Sequence, residues 1–476
     1  MKSKPVIRLL IVVGGLGLAA GGWWWYQASQ QQAQVAAWLP AVPALADASD
    51  ELSARITAAD ERALSLTNAV AGLAELSRLY HANGYYDSAL ASYDALARIQ
   101  PTEARWPHRH ASILAGYGQA EPAIVLWQRT IELAPAYVPA RLRLADLLLK
   151  SNQPQAAADA YRATLDVDRD NAWAILGLAR IDYEAERWAD ARRHLERVVA
   201  LTNYALGYDL IVSLYERLGL EDRAAAIRGR AEASGAFRDP PDPWLDELMA
   251  DCYDPFRLAL EAGTKARSGD PTTAIAWLER AIAVAPADLS AHFQLANLLV
   301  QQRDTSRALA LYRRCTQLDP AFADGWAQLS GLQAQLGNDV EAERTLAAGL
   351  EAVPDSPGLH LMRARKLRAA DRVGAAIAEY RTSIRLRPNE PRAYIELAVA
   401  LIDQNRSDEA IALIREALVY DPANPTALGI MAFKSIESGD RTAAEEWLAK
   451  VEAQPRIEPA QADRIRAAFA RQFGAR

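Results

Sequence analysis

Residues 296–320 read ANLLVQQRDTSRALALYRRCTQLDP, and residues 74–101 read AELSRLYHANGYYDSALASYDALARIQP. Each ends on a proline, preceded by an alanine and, one turn after it, a tyrosine: Ala308, Tyr312 and Pro320; Ala89, Tyr93 and Pro101. The same ruler extends along the chain. Prolines fall at Pro101 and Pro135, then at Pro286, Pro320, Pro354, Pro388 and Pro422, with 34 residues between neighbours in each set. The alanines are Ala89, Ala123, Ala274, Ala308, Ala342, Ala376 and Ala410. Extension from Pro135 predicts Ala157 and Ala191; both are present, with Tyr161 and Leu195 at the large position, although Arg169 and Asn203 replace the prolines. A last copy reads Ala443, Trp447 and Pro455, one residue short. A fixed period of this length marks a supersecondary unit repeated in a stack. Alanine lets two helix backbones approach, and the large side chain one turn on fills the groove beside it. Proline, which lacks an N–H, closes one unit and opens the next. Gly84, Gly118, Gly269 and Gly337, with Asn152 and Asn405, fall between the two helices, where the chain leaves the first with positive φ.

On these residues the chain resembles the tetratricopeptide repeat family over about 70–455. The resemblance implies an all-α fold: a solenoid of about eleven helix pairs in a right-handed superhelix with a concave groove. The organisation expected is an anchor or signal segment (1–26), a linker (27–49), about five repeats with a leading helix (50–237) and an insert (238–254). About six repeats (255–455) and a capping helix (456–476) follow. In the last segment Ile465, Phe469 and Phe473 share one helical stripe, as a cap needs.

The first residues read as a membrane segment. Lys2, Lys4 and Arg8 precede Leu9–Tyr26, an uncharged run that as a helix spans about 27 Å. Trp23, Trp24, Trp25 and Tyr26 close it like an interfacial belt. The basic flank predicts a single-pass inner-membrane protein with its N-terminus cytoplasmic and its body periplasmic. Gly17 and Gly21 could pair two anchors. The alternative is a signal peptide cleaved near GLAAGG and a secreted chain.

The ruler slips at FRDPPDPWLDELMADCYDPFR, residues 237–257. The preceding repeat is eroded: Ala225 is in place, but Gly229 sits where a large residue belongs. Counting from either side leaves 238–254 unassigned. Asp242-Pro243 and Asp254-Pro255 each read as a helix start. Trp244, Leu245, Leu248 and Met249 make a short apolar stripe, so a short extra helix is expected. Two readings are open. The insert is a joint, with Trp244, Leu248 and Cys252 as its residues, whose Trp244 fills the gap left by the eroded repeat, or it is a partner- or metal-binding knuckle. Its acids lack the glycine and spacing of a calcium loop. Cys252 and Cys315 are the only cysteines; they exclude a cysteine zinc site and leave either one disulfide or two buried thiols.

The net charge of −7 argues against a nucleic-acid partner. No phosphate loop, nucleophile elbow, HExxH or dinucleotide glycine motif is present, so no catalytic, cofactor or metal residue is assigned. The stretch TEARWPHRH, 102–110, holds Pro107 where a late helix start is expected. Arg105, His108, Arg109 and His110 would surround that helix N-terminus. They form either a carboxylate or phosphate site or a solvated basic turn with a packed His110.

The family resemblance places a groove along the outer stripe of each first helix. In this sequence that stripe holds His108, Arg109 and Ser112, then Arg143, Asp146 and Lys150, then Trp173, Arg180 and Tyr183. Such a wall suits an extended acidic peptide, or is an ordinary solvated face. The corresponding C-terminal residues are Phe293, Asn297, Gln328, Arg365 and Arg368, without a dominant charge. The function expected is a membrane-anchored, extracytoplasmic scaffold for protein or peptide partners. The alternatives are a secreted adaptor or an accessory subunit of an envelope enzyme complex.

Overall fold

The ruler alanines are where paired helices touch. The computed structural model describes residues 4–46, 48–232, 240–454 and 459–474, with the backbone alone for 4–20, 231–232 and 459. In it Ala89, Ala123, Ala157, Ala191, Ala274, Ala308, Ala342, Ala376 and Ala410 are all fully buried, as are Tyr93, Leu195, Leu346 and Ile414 one turn later. All regular structure among the described residues is helical.

The chain divides into two compact units, residues 1–291 and 292–476. In the first, α1 (Lys4–Trp38) and α2 (Asp50–Ala63) precede five antiparallel pairs. These are α3 (Ala69–Ala82) with α4 (Tyr86–Ile99), α5 (Arg105–Gly116) with α6 (Ala120–Leu133), and α7 (Val138–Lys150) with α8 (Pro154–Val167). Then come α9 (Ala172–Glu184) with α10 (Trp188–Leu201), and α11 (Ala205–Arg217) with α12 (Glu221–Glu232). Next are α13 (Pro243–Asp246), a 3-10 turn (Glu247–Asp251) and the pair α14 (Pro255–Arg267) and α15 (Pro271–Val284). Helix α16 (Leu289–Gln301) begins in this unit and continues into the second.

In the second unit α17 (Thr305–Leu318) meets the end of α16 through Tyr312, whose hydroxyl donates to Asn297 Oδ1 at 2.6 Å. Three pairs follow: α18 (Ala323–Gln335) with α19 (Asp339–Ala352), α20 (Pro357–Ala369) with α21 (Val373–Leu386), and α22 (Pro391–Asp403) with α23 (Ser407–Tyr420). The last pair is α24 (Pro425–Glu437) with α25 (Arg441–Glu452). Helix α26 (Pro459–Phe473) covers it, burying Ile465 and Phe469 against Leu428, Ala432 and Leu448.

Each pair turns on one left-handed residue. Positive φ occurs at Gly84, Gly118, Asn152 and Glu186, at Gly219, and then at Gly269, Arg303, Gly337, Asp371, Asn405 and Gly439. The next amide folds back onto the finished helix, as where Tyr85 N–H donates to Tyr80 O and Asp304 N–H to Leu299 O, both at 2.9 Å. This closure satisfies carbonyls that would otherwise end the helix unpaired. Gly84, Gly118, Gly269, Gly337, Asn152 and Asn405 were legible by residue type; Glu186, Arg303 and Asp371 were not, although they fall 34 residues after Asn152, Gly269 and Gly337, because the stacked pair imposes the conformation on them. Gly219 comes one residue early, so Ala224 rather than Ala225 is buried. In the last pair Ala444 and Leu448, not Ala443 and Trp447, take the buried positions. The ruler prolines lie in the inter-pair loops, two residues past each helix, as at Leu133 and Pro135. Asp239 and Pro455 lie outside the described residues.

The membrane reading is corrected. Among the described residues no helix is long and apolar enough to cross a membrane. The transmembrane anchor at 9–26, the inner-membrane and periplasmic placement, and self-association through Gly17 and Gly21 are therefore not supported. The side chains of residues 9–20 are outside the described ones. Helix α1 runs past Tyr26 through the glutamine-rich stretch read as a linker, up to Trp38. Its far end docks on protein: Val35 is fully buried among Leu52, Ile56 and Leu73, and Gln32 Nε2 donates to Leu64 O at 2.7 Å. A helix end bearing one apolar stripe and many glutamines is suited to a protein surface.

Candidate partner-binding face

The first helices of successive pairs present equivalent positions to one face of the first unit. One row carries Arg78, Ser112, Asp146 and Arg180, at 34-residue steps; a second carries Arg109 and Arg143. The insert lies on this face and runs backwards along it, from α7 to α5 and then to α3.

Its first anchor is Asp242, 3% exposed. The carboxylate accepts from His108 Nε2 at 3.0 Å and from Tyr137 Oη at 2.7 Å, and Arg143 Nε lies 3.5 Å away. Burial pushes this carboxyl up, but the His108 hydrogen bond, the Arg143 charge and the Tyr137 hydroxyl outweigh it. The result is a carboxylate held below the usual range. Tyr137, half-buried beside that charge, is pushed well above the ordinary phenol range by desolvation and then by the Asp242 charge. The Trp244 indole stacks on the Tyr137 ring, with centroids 3.5 Å apart and planes 10° from parallel. Trp244 N–H donates to Tyr137 Oη at 3.1 Å. Arg109 is almost fully buried, and its Nε and Nη2 donate to Trp244 O at 3.0 and 2.8 Å. The same Nη2 reaches Glu247 Oε2 at 2.7 Å.

The second anchor is Asp251. Arg78 Nε and Arg55 Nη2 donate to its two oxygens at 2.8 and 3.2 Å. Asn83 Nδ2 donates to Asp251 O at 2.8 Å, and Tyr253 N–H donates to Asn83 Oδ1 at 2.6 Å. Arg257 Nη1 then caps α3, donating to the carbonyls of His81 and Ala82 at 3.0 Å. His81, buried against Tyr93, is pushed down to about 3 by burial and then by Arg257, which leaves it neutral.

Trp244 therefore fills no gap beside the eroded fifth pair; its partner Tyr137 belongs to the third. Leu248 and Cys252 are buried as well. Cys252 and Cys315 are free thiols, both pushed up by burial. Among the described residues no group of three or more His, Cys, Asp or Glu could hold a metal ion.

The groove residues divide accordingly. Arg105, His108 and Arg109 are engaged by the insert, with Arg105 over the Trp244 ring at 5.9 Å and 3.7 Å from Glu247. The anions at this helix start come from the chain itself: Asp242 and Glu247 meet side chains, and Glu103 Oε1 accepts from the Arg105 N–H at 3.2 Å. His110 is half-buried, its imidazole pushed down by burial. Ser112, Arg143, Asp146, Lys150, Trp173 and Arg180 line a cavity of about 510 Å³ beside Pro240, where the described insert begins. Tyr183 lies elsewhere, bonded to Ser213 at 2.8 Å. Asp146 is occupied by the Tyr161 hydroxyl, and burial raises its carboxyl. Gly177 permits this: a Cβ there would lie 2.2 Å from the Tyr161 ring. Among the described residues neither Lys150 nor Arg180 has an ion-pair partner within 4 Å. The reading along the ruler missed Arg55, Arg78, Asn83 and Tyr137. Arg78 was within its reach, one period before Ser112.

Two family models match this chain, both described as tetratricopeptide repeat: one over residues 148–203 and 299–366, the other over 260–321 and 361–426. Over these segments the chain is similar to tetratricopeptide repeats. The chain is 24% identical over 232 residues to the human Protein O-mannosyl-transferase TMTC3, covering 48% of this chain and 24% of that protein. It is 31% identical over 132 residues to Cellulose synthase 1 operon protein C of Komagataeibacter xylinus, covering 27% and 10%. The chain thus spans a quarter or less of the curated relatives it matches. Among solved structures, yeast Tom70 superposes with TM-score 0.36 at 14% identity over 85% of this chain and 96% of that one. PilW, a type IV pilus biogenesis factor, superposes with TM-score 0.38 at 18% identity over 44% and 97%.

The second unit neutralises cations of the corresponding stripe internally. Arg365 forms a two-pronged bond to Glu396 at 2.7 and 2.6 Å, and Arg368 reaches Asp403 at 2.8 Å. Here α22 supplies the anions for the cations of α20.

Proposed function

We propose that this chain is a non-catalytic tetratricopeptide adaptor whose first unit binds an extended, carboxylate-bearing segment of a partner protein. The observation that carries this reading is the open end of the cationic face. Among the described residues Lys150 and Arg180 stand without ion-pair partners beside Trp173, on a stripe whose earlier cations already hold carboxylates. Backbone-rich clefts between first helices suit an extended chain, with side-chain charges fixing its register.

The test is a titration of the full chain with a fluorescein-labelled peptide of alternating Glu and Leu. Loss of two charge-assisted contacts in Lys150→Ala/Arg180→Ala weakens binding at least tenfold, since each is worth about 1.5–3 kcal/mol at most before solvent screening. Affinity for the wild-type chain also falls with added salt. Equal affinities for the two proteins would refute the reading.

A further inference from the structure

We propose that residues 242–247 are a ligand held in cis, occupying the site of a partner segment of like chemistry: an aspartate before proline, an indole two residues after the aspartate, and a carboxylate three residues after the indole. The inference rests on the reading of this face as a peptide-binding surface, and it names the ligand class.

Three observations carry it. The contacts are those of recognition rather than of a core. Asp242 meets His108, Arg143 and Tyr137; Trp244 stacks on Tyr137; Glu247 and the Trp244 carbonyl share Arg109. The insert is also divided in two. From Leu248 to Tyr253 it is largely buried and tied to α2 and α3; in 242–247 only Asp242 is buried, Glu247 and Pro243 are exposed, and Trp244, Leu245 and Asp246 are half-buried, with Asp246 paired to Lys265 of α14. The second part can keep the chain attached while the first lets go. Finally, the segment ends at the open cavity: Arg143 holds Asp242 and also lines the space containing Lys150 and Arg180. An incoming acidic chain engages those free cations first and then exchanges with the cis segment, residue by residue. A tethered ligand competes at a high effective concentration, so the cis segment sets a threshold that only a longer or better matched partner passes.

The probe is a fluorescein-labelled peptide of residues 240–249, PPDPWLDELM, titrated into the full chain. Wild type binds it weakly. Asp242→Ala/Trp244→Ala, which loosens the cis segment, binds it at least tenfold tighter, and adding Arg109→Ala removes that gain. Equal binding by wild type and the double variant, at matched helix content, overturns the proposal and makes the segment a fixed strap. A second measurement needs no variant. Saturating peptide accelerates amide deuterium exchange at residues 244–247 of the wild type and leaves residues 251–253 unchanged; no acceleration overturns the proposal. If only the Glu-Leu peptide binds, with its Lys150 and Arg180 dependence, the adaptor reading stands and the cis ligand falls. If neither peptide binds, both fall.

Discussion

At Tyr137 one side chain holds the insert in three ways: its hydroxyl donates to Asp242, accepts from the Trp244 amide, and its ring carries the indole. Tyr137→Phe keeps the stack and removes the polar contacts to buried groups. It should lower stability by about 1–3 kcal/mol, read from the urea midpoint at unchanged slope. Asp242 adds a pH dependence whose sign follows from its depressed native value. A carboxylate depressed on folding stabilises the native state at pH above its unfolded value of about 3.9 and loses that contribution as pH falls towards the native value. The stability gap between wild type and Asp242→Asn should therefore narrow as pH falls below about 4, measured by thermal melts across that range. A gap independent of pH would mean that the charge does not matter.

At the scale of the element, the turn inside each pair shows both what was legible and what was not. Gly84, Gly118, Gly269 and Gly337 advertise positive φ because glycine pays no Cβ penalty there. Arg303 adopts the same conformation at φ 64° with an ordinary side chain, so nothing in its identity reveals it; only the count along the ruler does. Arg303→Gly should relieve part of a left-handed cost of about 1–2 kcal/mol and gain about 0.5–1 kcal/mol net, after the larger entropy of unfolded glycine. Gly118→Ala, at φ 74°, should lose a similar amount. Both are checked by denaturant midpoints. The first residues illustrate the converse. An apolar run with an aromatic end satisfied a local pattern, while the following turns of α1, with Val35 buried, are placed by protein packing that no local window contains.

On the scale of the molecule, the two units treat the same repeat face differently. The second closes Arg365 and Arg368 with Glu396 and Asp403, one repeat on. The first, among its described residues, leaves Lys150 and Arg180 without ion-pair partners and engages Arg78, Arg105, Arg109 and Arg143 with the insert. Bound Glu-Leu peptide should therefore protect amides of α7 and α9 from deuterium exchange and leave α20 and α22 unchanged; protection in the second unit would reverse that assignment. The repeat ruler was enough to determine helix pairs, their period and the buried alanines of all but the fifth and last pairs, because those depend on contacts between residues a few turns or one repeat apart. The destination of the insert was decided by tertiary structure alone. Asp242 and His108 lie 134 residues apart, and Asp251 and Arg78 lie 173 apart. Their meeting depends on how successive pairs stack into a continuous face, a property summed over every interface between them and written at no single position of the chain.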